Sequence, residues 1–217
     1  MCGRYNLIAT AEQLINTFSL QHLAHYEANY NIPPGQKILT IVKLDDGSHK
    51  AVYLHWGLTP HWSKDSKISS HLINARAETL SEKPSFKTAY QQRRCLIPAS
   101  GFYEWQQTEQ GKQAYNIYRQ DQQLFAFAGL WEYWDHGAET IYSCTIITTP
   151  ANALISPIHQ RMPVIVGNNN YNAWLDKQTP QATTQKILSI DAYQGMITKP
   201  VSNWVNNPNH NGNSCLN

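Results

Sequence analysis

The sequence lacks the features that mark membrane and secreted proteins. No apolar run approaches the roughly 20 residues that a transmembrane helix needs. The first residues, MCGRYNLIATAEQL, do not show the charged-then-apolar order of a secretory signal. We therefore expect a cytoplasmic protein that makes no contact with a membrane.

Cysteine is scarce and is not spaced for metal binding. The four residues are Cys2, Cys95, Cys144 and Cys215, and no C-x-x-C or H-x-x-x-H pair is present. The spacing gives no support for a structural zinc site, and we expect neither a metal nor an organic cofactor. Cys95 and Cys144 lie in apolar runs, which predicts buried strand thiols.

The chain also has little net charge. Lysine and arginine number 17 against 15 acidic residues, which gives +2. A nucleic-acid partner would therefore require the arginines to gather on one face. Hydrophobic residues make up 41% of the 217 residues, with 7 Trp and 12 Tyr. This composition excludes a disordered chain and allows a sizeable core.

Short apolar segments separated by turn residues predict an α+β fold. We expect one β-rich domain over residues 1–217, with a curled or barrel-like, mainly antiparallel sheet and short peripheral helices. Strands are predicted at 38–44, 51–56, 93–98, 101–106, 114–119, 124–131, 141–148 and 162–166. The Asn-rich tail, 208–217, is predicted to be loose.

Helices are expected at four places. Thr10 to Leu20 starts with a Thr-x-x-Gln capping box and places apolar residues on one face. Shorter helices are predicted near 87–92, 169–175 and 181–188. The segment YNIPPGQ, 30–36, reads as a turn-rich loop.

The N-terminus raises a chemical possibility. Removal of Met1 would give Cys2 a free α-amine beside its thiol. Three other segments carry polar residues that a plain β-domain does not need: INARAET with Asn74, Arg76 and Glu78, GFYEW with Glu104, and PIHQRMPVI with His159 and Arg161. In an extended INARAET stretch, Asn74, Arg76 and Glu78 would point to one side.

Each of these residues also fits an ordinary structural role. Arg76 and Glu78 suit a surface ion pair, and Glu104 suits a solvated strand position. His159 suits a loop cap between two prolines. Cys2 itself could follow the start codon by accident. The residues taken singly therefore leave their function open.

Together the segments resemble the SRAP family, the SOS-response-associated peptidases or abasic-site processing proteins. The matching pieces are MCGRYNL, YNIPPG, HWGLTPHW, INARAET, SFKTAYQQRRCLIPASGFYEW, LFAFAGLWEYW, SCTIITTPAN, IHQRMPVI and VSNWVNN. They follow one another over about 200 residues, which is far more specific than a single motif. One departure is Gln160, where the family usually has Asp; the carboxylate beside His159 is therefore missing.

The resemblance implies a DNA-damage response protein that senses abasic sites in single-stranded DNA. The Cys2 amine would form a Schiff base with the open-chain aldehyde, and its thiol would close a thiazolidine. Glu104 would shuttle protons, His159 would assist opening of the sugar ring, and Asn74 would hold Cys2. The implied DNA contacts are Arg4, Arg76, Arg161, Thr148 and Thr149, with Trp105, Trp56 and Trp62 as stacking candidates.

Three other activities stay open. Cys2, Glu104 and His159 could form a thiol peptidase with an N-terminal nucleophile that removes Met1 itself. The chain could instead be a non-catalytic single-stranded DNA binder. A Schiff base is also the first intermediate of a DNA lyase. We expect a monomer that meets replication-fork components and joins the nucleoid when bound to damaged DNA.

Overall fold

Two sheets dominate the computed structural model, which describes residues 2–137 and 139–217. Its strands are β1 Tyr5–Leu7, β2 Asn29–Ile32, β3 Lys37–Lys43, β4 His49–Trp56, β5 Asn74–Arg76, β6 Arg94–Ala99, β7 Gly101–Thr108, β8 Gly111–Arg119, β9 Phe125–Asp135, β10 Thr140–Pro150, β11 Arg161–Pro163, β12 Ile165–Val166 and β13 Met196–Val201. Its helices are α1 Ala11–Phe18, α2 Pro84–Gln92, α3 Tyr171–Leu175 and α4 Gln181–Ser189. The predicted α+β class is confirmed.

Five strands close into a barrel. β4 pairs with β3, β3 with β6, β6 with β9, and β9 with β10, all antiparallel. The ring closes where β10 runs parallel to the end of β4, with Ser143 opposite His55 and Cys144 opposite Trp56. Closure removes the exposed sheet edges at these positions. The barrel-like, mainly antiparallel sheet that the sequence predicts is therefore present.

A second sheet packs against the barrel, with the strand order β13-β8-β7-β1-β2. Tyr5 of β1 joins the two layers, because its ring meets Trp56 and Phe127 edge-to-face at 5.5 and 5.8 Å. Edge-to-face contacts of this kind stabilise a core beyond the burial of area. Cys95 and Cys144 are fully buried, as predicted.

Helix α1 begins where the local sequence predicts that it begins. Thr10 caps the helix, and its side chain and that of Gln13 bond to each other's main-chain amides. The capping box predicted from the sequence is confirmed. The helix ends at Phe18, earlier than predicted, because Ser19 adopts a left-handed conformation. Leu14 and Phe18 bury the apolar face.

The strand predicted at 162–166 is two strands that pair with different partners. β11 pairs with β10, whereas β12 pairs with β9. The loop prediction for 30–36 is wrong in its first half, because Asn29–Ile32 forms β2 against β1. Strands β1, β2, β5 and β13 were not predicted, since each is short or lacks a clear alternation.

The prediction of a loose tail does not hold. Cys215 is only 1% exposed and packs in a small cluster with Tyr103 and Val205. The Asn31 side chain donates hydrogen bonds to the carbonyls of three residues in the C-terminal segment, Val205, Asn207 and His210. A buried amide that satisfies main-chain carbonyls fixes this segment despite its polar composition.

None of the helices in the described part of the chain has the length and apolarity needed to cross a membrane.

Candidate active site

Strand pairing brings Cys2 beside Glu104. β1 runs antiparallel to β7, with Tyr5 opposite Phe102, and the Tyr103 amide donates to the Arg4 carbonyl at 2.9 Å. Residues before Tyr5 therefore face residues after Phe102 on β7. Cys2 is fully buried and Glu104 is 2% exposed, so both lie under the surface.

Asn74 ties the start of the chain to the barrel. β5 lies parallel to β10, with Asn74 opposite Ile146. The Asn74 side-chain amide donates to the main-chain carbonyl of Cys2 at 2.9 Å. Its buried Oδ1 atom has no hydrogen-bond partner among the described residues, so the amide keeps an acceptor at the site.

Burial raises the pKa of the Glu104 carboxyl, and the nearby His159 acts against this shift. A buried carboxyl favours its neutral form because the charged form loses hydration. The result is an acid that holds its proton to higher pH than an exposed glutamate does. A shift in this direction suits a group that both gives and takes protons near neutral pH.

The thiol of Cys2 is not an activated thiolate in this structure. Burial raises the pKa of the Cys2 thiol, the Glu104 carboxylate raises it further, and the Arg4 main-chain amide opposes both. Catalytic cysteines of proteases usually sit in electropositive surroundings that lower the thiol pKa. The surroundings of Cys2 therefore differ from those of a thiol protease.

His159 is oriented by the main chain of Arg161. Its Nδ1 atom lies 2.9 Å from the Arg161 amide nitrogen and 3.0 Å from the Arg161 carbonyl oxygen. The turn before His159 is fixed as well, since its amide donates to the Ile155 carbonyl. The ring is therefore held at the entrance of β11 by backbone contacts.

The guanidinium of Arg161 is already paired. It forms two hydrogen bonds with Glu78, at 2.5 and 3.1 Å, and a third with the Thr148 carbonyl at 2.7 Å. The hydrogen bond from Arg161 lowers the pKa of Glu78. The predicted alignment of Asn74, Arg76 and Glu78 on one extended stretch is wrong, because β5 ends at Arg76 and residues 77–79 form a 3₁₀ turn.

Two predicted DNA contacts, Arg4 and Thr148, instead make hydrogen bonds within the protein. Arg4 donates to Asn31 Oδ1 and to the Val205 carbonyl, both at 2.9 Å, so its guanidinium holds the C-terminal segment. Thr148 is fully buried, and its hydroxyl donates to the Ala75 carbonyl at 3.4 Å. A buried hydroxyl with these partners is not available to an outside phosphate.

The remaining predicted contacts differ in exposure. Arg76 is exposed at the end of β5, and Thr149 is half-buried on β10. Trp105 is half-buried and donates to Asn206 Oδ1 at 2.7 Å. Trp62 is 49% exposed. Arg76 and Trp62 are therefore the most accessible of these side chains.

Trp56 cannot stack on a base in this structure. It is fully buried, and its indole nitrogen donates to the Ile73 carbonyl at 2.9 Å. The stacking prediction for this residue is wrong because Trp56 belongs to the core that Tyr5 joins.

Tyr193 is a site residue that the sequence reasoning missed. It is almost fully buried, and its hydroxyl donates to the Pro163 carbonyl at 2.7 Å. Burial raises the pKa of Tyr193, and the nearby Cys2 and Glu104 raise it further. Tyr193 lies in the irregular stretch between α4 and β13, so no periodic pattern marks it.

The chain matches a known protein-family model. The family model described as SOS response associated peptidase (SRAP) matches residues 1–208. The chain therefore belongs to the SRAP family.

Its relatives carry a consistent name. The abasic site processing protein YoqW of Bacillus subtilis strain 168 is 43% identical and aligns over 97% of this chain and 96% of its own. The abasic site processing protein YoaM of the same strain is 40% identical over 100% of this chain and 97% of its own. The abasic site processing protein HMCES of Xenopus tropicalis is 31% identical over 88% of this chain and 66% of its own.

Solved structures share the fold. A protein from Bacteroides thetaiotaomicron superposes with a TM-score of 0.89 at 25% identity, covering 99% of this chain and 98% of that chain. A phage-related protein from Bordetella bronchiseptica gives a TM-score of 0.75 at 31% identity, with coverages of 92% and 94%.

Proposed function

We propose that this protein processes abasic sites in DNA by linking Cys2 covalently to the opened sugar. The observation that carries the proposal is the burial of Cys2 beside Glu104, with its carbonyl held by Asn74. The relatives at 40–43% identity are named abasic site processing proteins. An abasic site supplies the aldehyde that this arrangement requires.

The chemistry needs no outside oxidant or cofactor. Once Met1 is removed, the Cys2 amine adds to the aldehyde carbon, and loss of water gives an imine. The thiol sulfur then bonds to the imine carbon, while the thiol proton moves to nitrogen. An α-amine, with an unperturbed pKa of about 7.7–8.0, is partly neutral at cellular pH. Ring closure is intramolecular, which favours the thiazolidine over the open imine.

Glu104 and His159 supply proton transfer in this proposal. The raised pKa of Glu104 lets it protonate the departing hydroxyl and then accept a proton. His159 assists opening of the sugar ring from the other side. Asn74 fixes the Cys2 main chain, so that amine and thiol approach the same carbon.

DNA binding in this proposal relies on two arginines near the site, of which Arg76 is exposed and Arg161 is paired with Glu78. Arg76 binds a phosphate that flanks the abasic site. Arg161 binds a second phosphate, which displaces Glu78 from its guanidinium. Thr149 donates to the backbone, and Trp62 stacks on a neighbouring base, with Trp105 less accessible. Single-stranded DNA suits a buried nucleophile that must reach C1′.

The lyase activity would share the imine intermediate with crosslinking, whereas the peptidase and the simple DNA binder are alternatives to crosslinking. β-Elimination from the same imine would give a lyase, and Glu104 would decide between the branches. Removal of Met1 by Cys2 itself would be a peptidase reaction that needs no aldehyde. A simple DNA binder would tolerate Cys2→Ala. We place the protein in the cytoplasm as a monomer that meets replication-fork components at damaged DNA.

The test uses protein whose loss of Met1 has been verified by intact mass. It is mixed with a single-stranded oligonucleotide that carries one abasic site, and the products are separated on a denaturing gel without borohydride. Cys2→Ala and an undamaged oligonucleotide are the controls. A slow band that needs both Cys2 and the abasic site supports the proposal. Its absence in processed protein contradicts it.

A further inference from the structure

A second cavity lies away from Cys2, between the end of β4 and the 3₁₀ helix at Ser66–His71. Its volume is about 540 Å³, within the roughly 300–1,000 Å³ of small-molecule sites. Gly57 allows this arrangement, because a Cβ there would lie 2.7 Å from the Ser69 carbonyl oxygen. The glycine brings the wall of the cavity close to the strand.

Two lysines and one histidine line the cavity. Lys37 and His55 are direct neighbours across β3 and β4, and Lys67 lines the opposite wall. Neither lysine belongs to an ion pair among residues 2–137 and 139–217. The Lys37 ammonium disfavours a charged His55 imidazole on the neighbouring strand. An anion bound between the two side chains would offset this repulsion.

Hydroxyl groups complete the polar lining. Thr59 is 1% exposed, and its hydroxyl has no hydrogen-bond partner in the described part of the chain. A buried hydroxyl without a partner costs free energy that a ligand can recover. Ser66 and Ser69 add two more hydroxyls from the facing 3₁₀ helix.

Two aromatic rings stand at the rim. Tyr53 and Tyr142 are both about half exposed and line the same cavity. Exposed rings beside cations are the usual means of holding a base next to its phosphate. Among the described residues Glu139 is the single acidic side chain in the lining, and it is exposed.

A larger cavity, of about 680 Å³, does not have unpaired cations among the described residues of its lining. It lies beside Lys43 and Lys177, whose ammonium groups pair with Asp176 and Asp45 at 2.9 and 2.8 Å. Arg94 in the same wall donates to main-chain carbonyls. Because Lys43, Lys177 and Arg94 already have partners within the protein, this cavity has no unpaired cation, in the part of the chain that the structure describes, that would bind an anion.

We propose that the cavity formed by Lys37, His55, Thr59 and Lys67 is a nucleotide-binding site that takes a phosphate ester on the cations and a base on Tyr53 or Tyr142. The nucleotide is either free or part of a DNA strand. A DNA strand bound at the candidate active site can reach this cavity. Tyr142 at the rim precedes Thr148, which contacts Arg161, by about 20 Å along the extended strand β10. The proposal does not depend on the crosslinking chemistry.

The first arm of the test titrates thymidine 5′-monophosphate and inorganic phosphate by calorimetry. The second arm titrates an undamaged twelve-residue oligothymidylate at several salt concentrations. Lys37→Gln with Lys67→Gln is the charge variant, Thr59→Val the hydroxyl variant, and Lys50→Gln on the exposed part of β4 the matched control. Thermal unfolding verifies that every variant is folded.

A free-nucleotide site predicts that both small anions bind the native protein and bind the charge variant about tenfold more weakly. A strand site predicts that only the oligonucleotide loses affinity and that its salt dependence becomes less steep. Thr59→Val should weaken the same ligand without lowering thermal stability. If the charge variant binds every probe as Lys50→Gln does, the proposal is wrong.

His55 gives an independent readout. Burial, and then the Lys37 ammonium, lower the pKa of His55, with Lys67 and Glu139 the other charged groups of the lining. A bound phosphate favours the protonated imidazole, so NMR titration of the ring with thymidine 5′-monophosphate or the oligonucleotide should give a higher pKa. An unchanged titration in the presence of both ligands contradicts the site.

Discussion

The Asn74 side-chain amide donates a hydrogen bond across 2.9 Å to the main-chain carbonyl of Cys2. This bond joins the first residues of the chain to the strand that lies on β10. It restrains the main chain of Cys2, and thereby the position of its amine and thiol. A restraint on geometry accelerates ring closure without touching the reacting atoms.

Asn74→Ala should therefore slow crosslinking about fivefold, which corresponds to one lost hydrogen bond of roughly 1 kcal/mol. The measurement is the single-turnover rate with abasic single-stranded DNA, using protein from which Met1 has been removed. Asn209→Ala, at an exposed position in the C-terminal segment, is the control. Equal rates for the two variants would show that the bond does not position Cys2.

Glu104→Gln should lower the crosslinking rate by about 10²–10⁴, the usual contribution of a positioned acid or base. The same change should stabilise the fold at neutral pH. Burial raises the pKa of Glu104, so wild-type stability from this group is full at low pH and is lost as pH rises through the folded-state pKa. The glutamine variant cannot ionise and escapes this loss.

Melting temperatures of wild type and Glu104→Gln from pH 4 to pH 8 check that sign. The difference in favour of the variant should grow with pH. Glu109→Gln, at the turn after β7, is the control, because Glu109 is exposed. A difference that shrinks as pH rises would mean that the carboxylate is stabilised in the folded protein.

Local signals in the sequence predicted the elements that they determine directly. The Thr10 capping box sets the start of α1, and the strands predicted at 38–44 and 51–56 are β3 and β4 to within a few residues. β5 was not predicted, because a three-residue strand owes its conformation to pairing with β10 rather than to its own pattern. Short elements of this kind are determined by tertiary contacts.

The candidate site was also predicted only in part, because tertiary contacts determine some of its residues. The resemblance placed Cys2, Asn74, Glu104 and His159 together, and their segments do meet in the structure. The partners of Arg4 and Arg161 could not be read from the sequence, since Val205 and Glu78 are far away along the chain. Tyr193 was not predicted as a site residue for a similar reason, because only the three-dimensional fold brings it close to Cys2.

Arg4→Lys should destabilise the protein while leaving DNA binding largely unchanged. Arg4 donates to Asn31 and to the Val205 carbonyl, and a lysine cannot make both contacts with the same geometry. Hydrogen exchange should become faster in residues 202–217, and the free energy of unfolding should fall by about 1–3 kcal/mol. Lys112→Arg, at an exposed position near the start of β8, is the control.

The salt dependence of single-stranded DNA binding separates this role from a phosphate contact. Lysine keeps the charge, so Arg4→Gln is measured beside it. If Arg4 only holds the C-terminal segment, both variants keep the wild-type salt slope. A slope reduced by about one unit in Arg4→Gln alone would assign the guanidinium to a phosphate instead.

Glu78→Gln should strengthen binding to undamaged single-stranded DNA. Glu78 occupies two donors of Arg161, at 2.5 and 3.1 Å, and its carboxylate repels a phosphate that approaches them. Because 44% of the Glu78 side chain is exposed, the ion pair contributes only about 0–1 kcal/mol to stability. The gain in affinity should therefore be at most about fivefold at low salt and should fade as salt rises.

Fluorescence anisotropy with an undamaged oligonucleotide measures this gain. Glu82→Gln, on the exposed segment before α2, removes a charge nearby without touching Arg161. A larger effect at Glu78 than at Glu82 shows that the carboxylate competes with DNA for this guanidinium. Weaker binding by Glu78→Gln would show the reverse: Glu78 would then hold Arg161 in the orientation that receives the phosphate.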